Sequence, residues 1–274
     1  MTRALEISSP SNPRVRAAVA LRERRERTRT GATIVDGARE LRRALNAGVV
    51  VVEAFVCDEL LAGVDAQAAL DALRASPAPI HRVTPAVFAK LAFGDRAEGL
   101  VAVIRPSSTA LADLEVPSDA LIVVLDGVEK PGNLGAVLRS ADGAGAHAVI
   151  AASPRTDLAN PNVLRASAGT VFTMPLAEAP TDIVLQWLRS HAVRIVATRV
   201  DAARPYTDAD LTGRVAIVLG AEDEGLSVAW SARDVEAVHL PMLGIADSLN
   251  VSVTAAILLY EAVRQRATRV NAPD

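Results

Sequence analysis

Apolar residues occur along this chain in two alternating patterns. Short continuous apolar runs are typical of buried strands, and longer segments with apolar residues at helical spacing are typical of helices that cover a sheet. In the first half they predict strands at 33–35, 49–56, 80–83 and 100–104, with helices that begin near residues 13, 38, 65 and 85. In the second half they predict strands at 120–125, 147–151, 193–197, 215–220 and 237–240, with helices at 134–141, 161–167, 182–190 and 248–266 and a short one near residue 228. Strands that alternate with helices predict an α/β fold with mostly parallel sheets.

The domain division follows from chain length and from one polar stretch. A chain of 274 residues is long enough for two domains that each bury a core. Pro106-Ser107-Ser108-Thr109, continuing loosely to Asp119, is rich in turn residues and is the best linker candidate. We therefore predict an amino-terminal domain at 1–106, a linker at 107–119 and a carboxy-terminal domain at 120–274.

The last predicted helix is apolar on most of its surface. Such a helix is either buried or covered by a partner. Because Glu261, Arg264 and Arg266 interrupt the apolar run, a membrane role is not expected. We interpret this segment as a core helix or a dimer helix.

Charge is distributed unevenly along the chain. The whole protein carries a net charge of -3, but residues 1–48 contain eleven arginines against five acidic residues, a local balance of +6. A localised basic face is what a partner with a phosphate backbone requires, since each neutralised phosphate releases counterions. The alternative is a solvated helix face on which arginines pair locally with Glu23 and Glu26. The candidate nucleic-acid-binding residues are Arg14, Arg22, Arg24, Arg25 and Arg39.

Cysteine content and hydropathy narrow the setting. Cys57 is the single cysteine, so the chain has neither an internal disulfide nor a cysteine-rich zinc site. No leading apolar segment resembles a signal peptide, and no uninterrupted apolar run reaches membrane-spanning length. Aromatic residues make up only 3% of the chain, which argues against a broad stacking platform for bases. We expect a cytoplasmic protein without a metal ion or a membrane partner.

The most informative stretch is Leu125 to Ala141, which reads as a strand, a glycine-containing loop and a helix. Such a corner exposes backbone N–H groups and the positive end of a helix dipole, and it is a favourable place to bind polar or anionic groups. Asn133 is the predicted N-cap, and Arg139 must leave the helix toward solvent or a cleft. On this loop alone, a structural turn with a solvated arginine is an equal alternative. The glycine spacing matches neither the dinucleotide fingerprint nor the P-loop, which disfavours an NAD-dependent enzyme.

Two further loops of the same kind follow strands in the second half. They are Leu219 to Ser227 and Leu240 to Asn250, and each combines glycine with polar side chains. Ligands of α/β sheets bind at the carboxyl ends of the strands, where these loops lie. Together the three loops predict one ligand site.

Three motifs carry a resemblance to a known family. N-L-G-x-x-x-R-S-A at 133–141, V-L-G-x-E-x-x-G-L-S at 218–227 and L-P-M-x-G-x-x-x-S-L-N-V-S at 240–252 occur in the family's order. On these motifs the chain closely resembles the SpoU or TrmH-type RNA 2'-O-ribose methyltransferases of the SPOUT superfamily. Residues 11–13 and 34–40 look like the ribosomal-protein-like substrate-binding domain of the rRNA-modifying members. Lys130 departs from the pattern, since relatives often carry an acidic residue there, and so does Ala221, where a small polar residue or asparagine is frequent.

The resemblance implies a fold and a cofactor. Members of the superfamily tie the carboxy-terminal part of the sheet into a deep trefoil knot, against which S-adenosylmethionine lies bent. By motif position, the implied cofactor-binding residues are Gly220, Ala221, Leu240, Met242, Ile245 and Leu249.

The resemblance also implies a set of catalytic residues, which are Asn133, Arg139, Glu222, Ser248 and Asn250. Arg139 is the family's activating residue. Because guanidinium groups have pKa values above about 12, we interpret its role as electrostatic. Asn133 is expected to hold Arg139 or the ribose, and Glu222 to orient Arg139 or its own loop. The structural alternatives are helix capping for Asn133 and Ser248 and a surface charge for Glu222.

The amino-terminal domain favours rRNA, most simply 23S rRNA, as the substrate. The alternatives are a tRNA 2'-O-methyltransferase and a non-catalytic RNA-binding relative. By analogy with family members we also expect a homodimer, for which the apolar last helix is a plausible interface.

Overall fold

The computed structural model of the protein describes residues 6–93, 98–106 and 110–270, without the side chains of residues 269 and 270. Linker residues Ser107, Ser108 and Thr109 lie outside the described residues. So does Arg3 of residues 1–48, the basic segment. The chain forms two compact units: Met1–Ser107 with Asp157–Thr173, and Ser108–Thr156 with Met174–Asp274. Residues 157–173 thus group with the amino-terminal half, although they fall within 120–274 in sequence.

The elements follow one another along the chain close to the predicted positions. Up to residue 106 they are α1 (Pro13–Ala20), α2 (Arg24–Thr30), β1 (Thr33–Asp36), α3 (Ala38–Asn46), β2 (Val50–Val56), α4 (Val64–Ala75), β3 (Ile80–Arg82), α5 (Pro85–Leu91) and β4 (Leu100–Arg105). Beyond residue 110 they are β5 (Leu121–Asp126), α6 (Pro131–Gly143), β6 (Ala148–Ala152), α7 (Pro161–Ala166), β7 (Leu176–Ala179), α8 (Thr181–Ser190), β8 (Arg194–Thr198), β9 (Arg204–Pro205), β10 (Val215–Leu219), β11 (Val235–His239) and α9 (Val251–Val270). The strands β7 and β9 were not predicted.

The sheet of the first unit has the order β1-β4-β2-β3 and is mixed. Its prediction as mostly parallel was wrong, because β4 is antiparallel to both β1 and β2 and only β2 and β3 pair in parallel. The helical crossovers α3 and α4 do connect strands of the same direction, as alternation predicts. The last strand then enters between β1 and β2 in the opposite direction, and this pairing leaves no trace in the local pattern.

Apolar side chains cover both faces of this sheet. Leu41 and Leu70 of α3 and α4 are buried against one face, and Val15 and Phe88 of α1 and α5 against the other. A strand buried on both faces reads as a continuous apolar run, which explains the pattern of β4.

Residues 157–173 complete the first unit. Leu164 of α7 is buried in the cluster formed with α3 and α4. The hydroxyl of Thr33 donates to the carbonyl of Ala159 at 2.6 Å, and the buried Arg27 pairs with Asp157 at 2.6 Å. The segment is therefore part of the core and of the buried polar network of this unit.

The sheet of the second unit is parallel throughout, in the order β7-β6-β5-β10-β8-β11-β9. Its strands end at one edge, where the loops after β5, β8, β10 and β11 lie side by side. The helix α9 packs on α6 and β10 and buries Ala255, Leu258, Leu259 and Ala262. Among the described residues, no helix is both long and apolar enough to cross a membrane. The trefoil knot stays a prediction from the resemblance.

Candidate active site

The three predicted loops meet at the carboxyl edge of the parallel sheet. The side-chain amide of Asn250 donates to Asn133 Oδ1 at 3.1 Å and to Glu222 Oε1 at 2.8 Å. The amide of Asn133 also donates to Glu222. Residues that are far apart along the chain thus form one hydrogen-bonded trio.

Asn133 does not cap its helix, and that prediction was wrong. The helix α6 begins at Pro131, and Lys130 stands at the N-cap position without a side-chain hydrogen bond to the backbone. Proline suits the first helical position because it lacks an N–H and its φ is already helical. Asn133 therefore lies inside the first turn, where its amide is available to the other two loops.

Asn250 provides the cap that the structural alternative gave to Ser248. The helix α9 begins at Val251, and Asn250 Oδ1 accepts a hydrogen bond from the backbone N–H of Ser252 at 2.9 Å. The same side chain donates from its amide nitrogen to the trio. Capping and site assembly are therefore carried out by opposite ends of one amide.

The loop after β10 closes on itself. Ala221 and Gly225 exchange two backbone hydrogen bonds, of 3.1 and 3.0 Å, around the tip that carries Glu222. A Cβ added to Gly220 would lie 2.3 Å from the carbonyl carbon of Gly225. Gly220 is thus required by the closure of its own loop.

Lys130 was not predicted as a site residue, yet its ammonium group pairs with Glu222. The hydrogen bond and the charge of Glu222 raise the pKa of Lys130. Glu222 therefore accepts hydrogen bonds from three donors, and one of them carries a full charge.

A buried carboxylate accepts a hydrogen bond from the loop after β10 and holds it to the end of β5. Asp126, the last residue of β5, accepts from the hydroxyl of Thr181 at 2.6 Å and from the backbone N–H of Ser227 at 3.0 Å. The position of Asp126 at the end of an apolar strand is the sequence feature that could have identified this role.

Arg155, in the loop after β6, also contacts this loop and was missed. Its guanidinium forms ion pairs with Glu129 and Glu224, and its backbone N–H donates to the carbonyl of Val128 at 3.2 Å. The two carboxylates raise the pKa of Arg155.

A cleft of about 950 Å³ opens beside the trio, at the ends of β8, β10 and β11. Predicted site residues that line it are Gly220, Ala221, Glu222, Leu240, Met242, Ser248 and Leu249. Ile245 is not among the lining residues and its side chain is fully exposed. From the loop after β8 the lining also includes Arg199, which donates to both carboxylate oxygens of Asp201 at 2.8 and 2.9 Å. Its position just after a parallel strand was the signal that could have identified it.

Arg139 stands apart from the trio. It is exposed, it does not line the cleft, and it makes no hydrogen bond or ion pair with any other residue that the structure describes. The expected contacts of Arg139 with Asn133 and Glu222 are not formed, because six residues along a helix correspond to a rotation of about 240°. Its guanidinium is therefore available to a bound partner.

Comparison with known proteins supplies the family. The SpoU rRNA methylase family model matches residues 120–260, which is half of the chain. This chain belongs to the SpoU rRNA methylase family. The match confirms the resemblance drawn from the three motifs. A second family model, the MRM3-like substrate binding domain, matches residues 12–102.

Relatives of this SpoU-family chain include characterised proteins and solved structures. The 23S rRNA (guanosine-2'-O-)-methyltransferase RlmB of Bordetella pertussis is 40% identical over 192 residues, which cover 68% of this chain and 78% of that protein. The crystal structure of an RNA 2'-O ribose methyltransferase is 43% identical and has a TM-score of 0.85. The match covers 96% of this chain and 100% of that one. An AdoMet-bound rRNA methyltransferase from Sinorhizobium meliloti is 28% identical and has a TM-score of 0.86. The match covers 95% of this chain and 97% of that one. These structures confirm the α/β fold.

The predicted RNA-binding arginines of the SpoU-family chain differ in how far they are engaged. Arg14 pairs with Glu53 at 3.2 Å, Arg24 with Asp157 at 3.9 Å and Arg39 with Glu40 at 2.8 Å. Arg22 donates to the carbonyls of Lys90, Leu91 and Ala92 at the end of α5 and lies 5.3 Å from the ring centroid of Phe93. Arg25 is exposed, and so is Arg16; within the described ranges neither side chain has a hydrogen bond or ion pair. Arg22 thus serves the fold, while Arg16 and Arg25 are the most available cations.

Metal-ligand groups are also relevant to the site. Among the described residues no group of three or more His, Cys, Asp or Glu side chains is arranged to hold a metal ion.

Proposed function

We propose that this chain transfers a methyl group from S-adenosylmethionine to a ribose 2'-oxygen of RNA, and that its substrate is 23S rRNA. The observation that carries the proposal is the trio of Asn133, Glu222 and Asn250 beside a large cleft at the sheet edge. The names of the relatives support the reaction and the class of RNA.

The lining of the cleft fits the chemistry of the cofactor. Leu240, Met242 and Leu249 offer apolar surface for an adenine. Asp201 and Glu222 also line the cleft, where they are paired with Arg199 and Lys130. The volume of about 950 Å³ lies within the range of ligand pockets. When it is bound, S-adenosylmethionine supplies a methyl group attached to a positively charged sulfur.

Arg139 prepares the attacking oxygen in this proposal. Its free guanidinium binds the phosphate next to the target ribose and stabilises the negative charge that develops on the 2'-oxygen as the hydroxyl gives its proton to a water molecule. Such electrostatic stabilisation in a water-poor site is usually a large part of catalysis. Alignment of the oxygen with the methyl group supplies a further part of the rate.

The trio gives that alignment a rigid frame. Glu222 holds Asn133 of α6 and Asn250 of the last loop, and so it fixes the helix that carries Arg139 relative to the lining of the cleft. Ser248 lines the cleft two residues before Asn250, and in this proposal it contacts the ribose.

The deciding experiment measures methyl transfer from radiolabelled S-adenosylmethionine to ribosomal RNA, with 2'-O-methyl positions mapped in cells with and without the gene. Loss of one 23S rRNA methyl group in the deletion supports the proposal. Loss of a tRNA methyl group would instead favour the tRNA alternative. An absence of cofactor binding in a calorimetric titration would favour a non-catalytic RNA-binding protein.

The proposal extends to domains, location and assembly. Residues 1–106 act as the RNA substrate-binding domain and 120–274 as the knotted methyltransferase domain, joined by 107–119, in the bacterial cytoplasm where ribosomes are made. A homodimer would cover the apolar side chains Val253 and Tyr260, which α9 leaves exposed. Sedimentation equilibrium of the wild type and of Tyr260→Glu tests this assembly, because a charge in the interface shifts the protein toward monomer.

A further inference from the structure

Arg155 connects two of the loops that build the site. Its backbone N–H and its guanidinium attach to the neighbouring residues Val128 and Glu129, which lead into α6. Another nitrogen of the same guanidinium pairs with Glu224, two residues beyond Glu222. One side chain thus joins the approach to Asn133 with the loop that carries Glu222.

The contacts of the loop after β10 are divided between its two glutamates. Glu222 is held by Lys130, Asn133 and Asn250, and Glu224 is held by Arg155. Both glutamates lie in the short loop that two backbone hydrogen bonds close between Ala221 and Gly225. Arg155 and Glu222 are therefore connected through this loop and Glu224.

We propose that Arg155 is a positioning residue for methyl transfer, which holds Glu129 and Glu224 together so that Glu222 reaches Asn133 and Asn250. The proposal rests on the proposed function of the site. Arg155 lies outside the three motifs and is not among the residues that line the cleft.

The charges of these loops give the physical reason. Glu129, Glu222, Asp223 and Glu224 line one small depression, together with the cations Lys130 and Arg155. Without the guanidinium, Glu129 and Glu224 are like charges that repel each other and push the two loops apart. Exposed ion pairs contribute little to global stability. A displacement of about 1 Å in a reacting geometry, in contrast, can slow catalysis by up to about a hundredfold.

The first test compares Arg155→Ala and Arg155→Lys with a matched control. Arg189 pairs with Asp234 through two nitrogens and is about as exposed as Arg155, but it lies in α8, away from these loops. For Arg155→Ala we expect kcat to fall about tenfold with less than a threefold change in the KM for RNA, which would be a purely kinetic loss. Arg155→Lys should recover part of kcat because it keeps the positive charge, and Arg189→Ala should match the wild type. Equal kcat values in Arg155→Ala and Arg189→Ala would overturn the proposal.

The second test is a double-mutant cycle with Glu224→Gln. If Arg155 acts through Glu224, the double variant is no slower than Arg155→Ala alone, and the two effects on kcat are not additive. A role of Arg155 in RNA binding predicts a different result, which would overturn the positioning role. In that case Arg155→Ala would raise KM and flatten the salt dependence of RNA binding, while Glu224→Gln would leave kcat unchanged.

A readout that needs no turnover separates this inference from the proposed function. Amide hydrogen exchange at Ala221 and Gly225 should be faster in Arg155→Ala than in Arg189→Ala, because the loop loses an anchor. Equal exchange rates would refute the role of Arg155, even if the wild type transfers methyl groups. Faster exchange in Arg155→Ala, together with a wild type that methylates no RNA, would support the anchoring of the loop by Arg155 and refute the proposed function.

Discussion

Arg139 and Arg155 are both exposed arginines of the second unit, but they differ in what they contact. Arg155 is engaged by two carboxylates of the protein, whereas Arg139 makes no hydrogen bond or ion pair across the described part of the chain. An arginine that the fold does not use has its full hydrogen-bonding capacity left for a phosphate. The geometry therefore supports a substrate role for Arg139 and an internal role for Arg155.

Removal of the Arg139 guanidinium tests that distinction. For Arg139→Ala we expect kcat to fall by about a hundredfold or more, since a preorganised donor for the developing charge is lost. The Kd for S-adenosylmethionine, measured by calorimetry, should stay within about threefold, because Arg139 does not line the cleft. Arg233→Ala, at an exposed arginine before β11, is the control. Near-normal turnover of Arg139→Ala would remove this residue from the mechanism.

The sequence predicted that the three motifs meet, but it did not predict which side chains pair there. The sequence placed Asn133, Glu222 and Asn250 in one site because each follows a strand of a parallel sheet. It did not predict that Lys130 and Arg155 would neutralise the acidic loop, since these contacts join residues 69 to 92 positions apart. Pairing across such distances depends on strand order, which the local pattern does not contain.

At the scale of elements, the closed loop between β10 and the trio depends on Gly220. A Cβ at this position would collide with the backbone of Gly225 and Leu226, which a side-chain rotation cannot relieve. For Gly220→Ala we therefore expect the loop to open, with a loss of cofactor affinity of at least tenfold by calorimetry. Gly244→Ala is a matched control in the last loop, because its Cβ would have no neighbour within 4 Å. Equal affinities of the two variants would show that loop closure does not shape the cleft.

A second prediction at this scale concerns α7. Leu164 is buried among side chains of α3 and α4, so Leu164→Ala should destabilise the protein by about 2–5 kcal/mol. Urea unfolding measures this loss, and hydrogen exchange should show it in the strands of the first unit. Leu243→Ala is the control, since Leu243 is fully exposed. An unperturbed first unit in Leu164→Ala would mean that α7 is not part of its core.

Most helices and strands were predictable, and the exceptions have physical reasons. The strand β7 has only four residues, Leu176 to Ala179, and includes Glu178, which is too little for a recognisable apolar run. The strand β9 consists of two residues. The direction of β4 is set by its neighbours β1 and β2, and so it was not readable from alternation.

At the scale of the whole molecule, the basic segment gives the chain a charge asymmetry that its net charge hides. Many of these arginines are paired or serve the fold, so their number overstates the charge available to RNA. For the double variant Arg16→Ala, Arg25→Ala we expect weaker RNA binding, with the slope of log K against log salt concentration reduced by about 0.7–0.9 for each lost phosphate contact.

The control for this prediction is Arg29→Ala, whose arginine is engaged with Glu26 on the same helix. It should change the slope less than the double variant does. An unchanged slope in the double variant would return Arg16 and Arg25 to the alternative of a solvated helix face.

The discontinuous first unit has a consequence for the folding of the protein during its synthesis on the ribosome. Its core includes Leu164, and its buried Arg27 pairs with Asp157, so the unit lacks part of its interior until residue 173 has been synthesised. The roughly 70 residues made after β4 require about 4 to 14 seconds of translation. During that interval the nascent amino-terminal sheet presents an uncovered apolar patch, and a chaperone that shields it has most to contribute before α7 emerges.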